Sequence, residues 1–144
     1  MIQETKLREA ELEPQEEPLS SAQINELKTQ VFGWHVVDAE VPRLSRTFKF
    51  EDFANALLFV VQVGELAENA DHHPRVTLEW GSATVEWWSH EVEGLHRNDF
   101  ILAARVNNVY DRWEEIVGDK DQVQQALEGT FPASDPPPVG SRIE

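Results

Sequence analysis

The chain has 144 residues, a length that fits one domain with flanking segments. It contains no cysteine, which excludes disulfides, thiol nucleophiles and cysteine-based metal sites. Its formal net charge of −15 argues against binding of nucleic acid or of anionic membrane surfaces, because both need basic protein surfaces.

The first segment, residues 1–20, is rich in glutamate and proline. Six glutamates against Lys6 and Arg8 leave little apolar surface to bury, so we expect a disordered acidic leader. Neither a signal-peptide pattern nor a run of about 20 apolar residues is present, so the expectation is a cytoplasmic protein without a membrane span. A short helix is predicted to begin at Ser20 or Ser21 and to continue to Val31.

The domain itself is predicted to cover residues 21–117. Hydrophobic periodicity predicts strands at 34–37, 44–50, 76–80 and 83–88, and long helices at 51–70 and 97–117. The order α-β-β-α-β-β-α predicts an α+β fold, a four-stranded antiparallel sheet with helices packed on one face. From residue 118 the periodicity ends, and 118–144 are expected to form a Pro-rich tail with a weak helix at 122–127.

Three histidines, His72, His73 and His90, are the first candidates for chemistry. A two-residue turn at 81–82 would place His73 opposite His90 in the hairpin. Imidazole gives and takes protons near neutral pH, so such a cluster suits acid–base catalysis.

Two carboxylates and an aromatic residue are predicted to lie near these histidines. Glu68 is one helical turn before His72, and Asp71 is at the same helix end. Trp88 lies on the same strand face as His90 and could stack on a flat heterocycle.

Two other interpretations compete with a catalytic cluster. A single histidine is more often structural, and His35 and His96 keep that interpretation, His96 as a partner of backbone groups at a helix start. A metal enzyme is the second, since histidine and carboxylate ligands suit zinc or iron. The adjacent His72 and His73 fit one metal poorly and no H-E-x-x-H spacing occurs, so we expect no metal site.

At these residues the chain resembles the pterin-4a-carbinolamine dehydratases. The family's motif is matched by Glu68, by His72-His73-Pro74 and then by Trp80, His90 and Asp99. The wider resemblance covers roughly residues 23–112, and a match of this length is far more specific than a short motif.

The resemblance implies a hydro-lyase that needs no cofactor. It would remove water from a 4a-hydroxytetrahydropterin and give the quinonoid dihydropterin, a step in tetrahydrobiopterin recycling. It implies that His72 and His90 are the acid–base pair and that His73 helps to hold the substrate. Glu68 and Asp71 would orient imidazoles or bind the donor-rich edge of the pterin.

Pro74, Trp88, Ser89 and Asp99 complete the implied substrate-binding set. Ser89 stands where many members of the family have threonine, and Asp99 would tie the last helix to the site. The implied partners are the small-molecule pterin and further copies of the chain, in a homodimer or a homotetramer.

Two non-catalytic functions are alternatives. Some dehydratase-like proteins of this fold serve as Rubisco assembly factors in carboxysome-bearing organisms, and the acidic leader and segment 130–138 would suit partner-binding arms. Some animal members act as transcriptional dimerisation cofactors. The complete histidine set favours catalysis over both.

Overall fold

The computed structural model describes residues 2–14 and 17–117. The predicted Pro-rich tail at 118–144, with its helix at 122–127, lies outside the described residues. The elements follow in chain order as α1 (Ile2–Arg8), α2 (Ser21–Lys28), β1 (His35–Val37), β2 (Arg43–Lys49), α3 (Phe53–Ala70), β3 (Arg75–Glu79), β4 (Ser82–Trp87), α4 (Arg97–Asp111) and α5 (Trp113–Val117).

The sheet is four-stranded and antiparallel, with the strand order β1-β2-β4-β3. Helices α3 and α4 contact β4 on the face where Ala83, Val85 and Trp87 are fully buried. The predicted α+β fold is therefore confirmed. The helix predicted at 97–117 is instead divided into α4 and α5, because Arg112 has a non-helical backbone with φ −103° and ψ 17°. Among the helices in the described part of the chain, none is long and apolar enough to cross a membrane.

The β3–β4 hairpin differs from the predicted register. Glu79 pairs with Ser82, which makes Gly81 the second residue of a two-residue turn rather than the first. Gly81 has φ +78°, a conformation that glycine adopts without steric cost. The pairing is displaced by two residues, so the strands do not place His73 opposite His90. Because the displacement is even, each side chain keeps its predicted face of the sheet.

Helix α3 begins and ends at an aspartate. Asp52 is the N-cap, and its side chain accepts a hydrogen bond from the backbone N–H of Asn55 at 2.9 Å. Asp71 is the C-cap and has a left-handed backbone, with φ 52° and ψ 43°. This conformation turns the chain out of the helix and towards β3.

Helix α4 begins at an N-cap formed by His96. Its Nδ1 accepts a hydrogen bond from the Asn98 N–H at 3.1 Å, and Oδ2 of Asp99 accepts one from the His96 N–H at 2.9 Å. The structural interpretation of His96 is thereby confirmed. The same reciprocal pair holds Asp99 at the start of the helix, where it is fully buried.

Residues 2–14 form an N-terminal arm that packs against α4, which differs from the predicted disorder. Leu7 is 2% exposed and belongs to the hydrophobic core. The Arg105 guanidinium donates hydrogen bonds to the carbonyl oxygens of Arg8 at 3.0 Å and Ala10 at 2.8 Å. The composition of the arm alone predicts disorder. The buried leucine and the hydrogen bonds to its backbone hold it in place.

A buried polar cluster joins the arm, the sheet and α4. Asn107 is 1% exposed, and its Oδ1 accepts hydrogen bonds from Trp34 Nε1 at 2.8 Å and from Arg46 at 2.6 Å. Its Nδ2 donates to Oε2 of Glu4 at 3.1 Å and to the Phe32 carbonyl at 3.0 Å. Burial lowers the pKa of the Arg46 guanidinium, because its charged form is partly removed from water.

Candidate active site

A cavity of about 400 Å³ lies where the end of α3, the start of α4, the turn after β4 and the N-terminal arm meet. It is lined by Leu12, Glu13, Pro14, Ala70, Asp71, His72, His73, His90, Glu91 and Asn98. The three histidines singled out in the sequence thus come together at one cavity.

The end of α3 supplies three neighbouring polar side chains. The left-handed backbone of Asp71 follows the last helical turn, and the His72 N–H still bonds to the Ala67 carbonyl at 3.1 Å. Pro74 then prevents the helix from continuing. Asp71, His72 and His73 therefore leave the helix together and line the same cavity.

The imidazole of His72 is held on two sides. Its Nε2 lies 2.7 Å from Oδ1 of Asp99, and its ring stacks on Trp87 with a centroid distance of 5.6 Å and an interplanar angle of 13°. Asp99 also accepts hydrogen bonds from the hydroxyl of Ser89 at 2.8 Å and from the N–H of His96. An ionised carboxylate only accepts hydrogen bonds, so an ionised Asp99 would hold the proton of His72 on Nε2.

His73 is paired with Glu68. Nε2 of His73 lies 2.5 Å from Oε1 of Glu68, and their side chains are 56% and 77% exposed. Glu68 does not line the 400 Å³ cavity but a shallow depression beside α3. It can therefore orient His73 from outside the cavity.

His90 reaches the cavity by a route that the hairpin register did not predict. Strand β4 ends at Trp87, and Ser89 and Gly94 then form an isolated antiparallel bridge that closes a turn. The exposed His90 lies in this turn, with its ring 4.9 Å from that of Trp88. The turn, rather than strand pairing, thus brings His90 to the cavity that His72 lines.

Several residues predicted to bind substrate do not line the cavity. Ser89 and Asp99 are fully buried; Asp99 contacts His72, and Ser89 donates a hydrogen bond to Asp99. Pro74 fixes the end of α3 without lining the cavity. Trp88 is not among the lining residues, and the Arg43 guanidinium lies over its ring, 4.7 Å from the centroid.

The arm residues Leu12, Glu13 and Pro14 line the cavity and were not predicted to do so. A sequence signal was present, because Leu7 and Leu12 are large apolar residues in a segment rich in glutamate. Asn98, near the start of α4, lines the cavity as well.

Within residues 2–14 and 17–117, no three histidine, aspartate or glutamate side chains are grouped as metal ligands. Each histidine at the end of α3 instead has its own carboxylate partner, Asp99 for His72 and Glu68 for His73. This arrangement fixes ring orientation and suits proton transfer.

The chain resembles known proteins over the region that builds this cavity. The sequence model of the Pterin 4 alpha carbinolamine dehydratase family matches residues 17–109, and the chain belongs to this family. A protein from Chlorobium limicola, named "Putative pterin-4-alpha-carbinolamine dehydratase", is 52% identical over 95 residues, which are 65% of this chain and 84% of the relative.

A solved structure shows the same fold. A Brucella melitensis protein described as a transcriptional coactivator/pterin dehydratase matches with a TM-score of 0.61 at 30% identity, over 65% of this chain and 98% of that one. A pterin dehydratase-like protein identified as a RuBisCO assembly factor in the alpha-carboxysome matches at 19% identity with a TM-score of 0.47, over 54% of this chain and 89% of that one.

Proposed function

We propose that this protein dehydrates a 4a-hydroxytetrahydropterin to the quinonoid dihydropterin by histidine acid–base catalysis. One observation carries the proposal: the imidazoles of His72, His73 and His90 and the carboxylate of Asp71 line one cavity in a chain of the dehydratase family. The proposed enzyme is a hydro-lyase that uses no cofactor.

The chemistry needs two proton transfers. The C4a–OH bond and the N5–H bond break, a C4a–N5 double bond forms, and one molecule of water leaves. The departing hydroxyl takes a proton from an acid while N5 gives one to a base. His72 and His90 reach the cavity from two different segments, so each imidazole can serve one transfer. The imidazole that acted as base then releases its proton to solvent and the one that acted as acid takes up a proton, which restores the starting state; both rings can exchange with water because both residues line the cavity.

Two further residues are proposed to hold the substrate. The carboxylate of Asp71 can accept hydrogen bonds from the amino group and ring N–H of the pterin's pyrimidine edge. His73 lines the same cavity, and its contact with Glu68 fixes its ring.

The reaction would serve the recycling of tetrahydrobiopterin in the cytoplasm, with a homodimer or homotetramer as the working form. Strands β1 and β3 are the two edges of the sheet. An edge strand presents unpaired backbone groups, and a second copy of the chain can cover them.

The test is the rate at which 4a-hydroxytetrahydropterin loses water with and without purified protein. We expect acceleration by the unchanged protein and a decrease of about 10²–10⁴-fold for His90→Ala. His35→Ala is the matched control, because His35 is also an exposed histidine but lies on β1, outside the cavity. If the folded protein gave no acceleration, the proposal would be overturned in favour of a non-catalytic interaction role.

A further inference from the structure

We propose that the N-terminal arm forms the apolar wall of the pterin site, with Leu12 and Pro14 packed against the bound bicyclic ring. This inference rests on the proposed dehydratase function. It adds a substrate-binding segment that lies before the residues matched by the family's sequence model, which begin at residue 17.

The composition of the cavity wall is the first argument. Most of its lining residues are polar or charged, and the apolar ones are Leu12, Pro14 and Ala70. Sites for flat organic ligands combine a few polar groups with apolar surface that covers the ring. The arm supplies two of the three apolar residues, whereas Trp88 is absent from the wall.

The anchoring of the arm at this point is the second argument. The Asn98 side chain accepts a hydrogen bond from the Glu13 N–H at 2.8 Å and donates one to the Glu13 carbonyl at 2.7 Å. Nε of Arg97 lies 3.2 Å from a Glu13 carboxylate oxygen. These contacts hold Glu13 against the start of α4, and with it the two flanking residues, Leu12 and Pro14. A wall fixed before the ligand arrives costs less conformational entropy on binding than a wall ordered by the ligand.

The third argument is that different elements supply the different sides of the cavity. The reacting imidazoles come from the end of α3 and from the turn containing His90, while the arm approaches from the start of α4. The arm therefore contributes contact area and no proton donor or acceptor from Leu12 or Pro14. Its effect should fall on substrate affinity and leave the chemical step nearly unchanged.

The experiment compares Leu12→Ala with Glu11→Ala in the full chain. Leu12 lines the cavity, whereas the neighbouring Glu11 is exposed and does not. We expect Leu12→Ala to raise KM for 4a-hydroxytetrahydropterin on the order of tenfold, with kcat within about threefold. Glu11→Ala should leave both constants unchanged. Equilibrium binding of 7,8-dihydropterin, a stable probe, should weaken by the same factor as KM.

Pro14→Ala is a second variant that separates substrate binding from stability. It is needed because Leu12 also packs against the core and its truncation can lower stability. Pro14 is exposed and should show the KM increase without a change in melting temperature. Unchanged KM and probe affinity in both variants of an active enzyme would overturn the inference and leave the dehydratase proposal standing. An inactive, folded parent protein would overturn both together.

Discussion

Nε2 of His72 lies 2.7 Å from Oδ1 of Asp99, a residue with no solvent exposure. The family resemblance implied that Asp99 belongs to the substrate-binding set and ties the last helix to the site. Asp99 contacts His72 and does not line the cavity, so we propose that it positions the His72 imidazole.

Asp99→Asn should lower kcat on the order of 10²-fold, with KM little changed, because an amide cannot accept from Ser89, His72 and the His96 N–H at once. Steady-state kinetics on 4a-hydroxytetrahydropterin measure the two constants. Ser89→Ala is the comparison, since it removes one bond to Asp99 and leaves the His72 contact. An Asp99→Asn enzyme whose loss lies wholly in KM would contradict the positioning role.

Glu68→Gln should have only a small effect. The Glu68 side chain is 77% exposed and lies outside the cavity, and exposed ion pairs contribute about 0–1 kcal/mol. We therefore expect kcat/KM to fall less than about fivefold, whereas His73→Ala should raise KM more strongly. A large fall in kcat for Glu68→Gln would show that this carboxylate takes part in the chemical step.

Asn107→Ala should lower the free energy of unfolding by about 2–4 kcal/mol. The reason is that the buried Trp34 Nε1 loses its acceptor, while Arg46 loses the Asn107 acceptor and keeps the Phe32 carbonyl. Urea denaturation measures this change. Asn108→Ala, at the next position of α4 and only half-buried, is the matched control and should change stability far less. Equal losses for the two variants would argue against the polar cluster as a source of stability.

Gly33→Ala should destabilise the protein more than Gly81→Ala. Both glycines have a positive φ, +82° and +78°, so an alanine at either is strained by about 1–2 kcal/mol. A Cβ at Gly81 meets only a carbonyl oxygen at 3.5 Å, whereas one at Gly33 would lie 2.6 Å from Nε of Arg46. Thermal melts of the two variants give the order, and the reverse order would show that the Arg46 side chain moves aside at little cost.

The sheet and its faces could be predicted from the sequence because alternation along a strand does not depend on the exact turn. Val85 and Trp87 are fully buried on the helix-covered face, whereas the next residue, Trp88, is only partly buried. The register could not be predicted, since the positive φ of Gly81 fits either position of a two-residue turn. His90 was correctly grouped with His72, although the bridge between Ser89 and Gly94, rather than strand pairing, brings it there.

The arm could not be predicted because its order depends on partners far along the chain. Composition describes what residues 1–20 can bury by themselves, and that is little. The guanidinium of Arg105 and the amide of Asn98 supply hydrogen bonds from α4, some 85 or more residues away in sequence. Local patterns contain no information about such contacts.

The left-handed backbone at Asp71 has a consequence for how this protein can be engineered. Glycine adopts φ 52° and ψ 43° more easily than aspartate by roughly 1 kcal/mol, so Asp71→Gly should raise the melting temperature. The same change removes the carboxylate that the cavity presents beside its histidines. Selection for heat resistance alone should therefore favour glycine at position 71 and yield enzymes that are more stable but bind the pterin more weakly, a trade-off between thermostability and substrate affinity located at one residue.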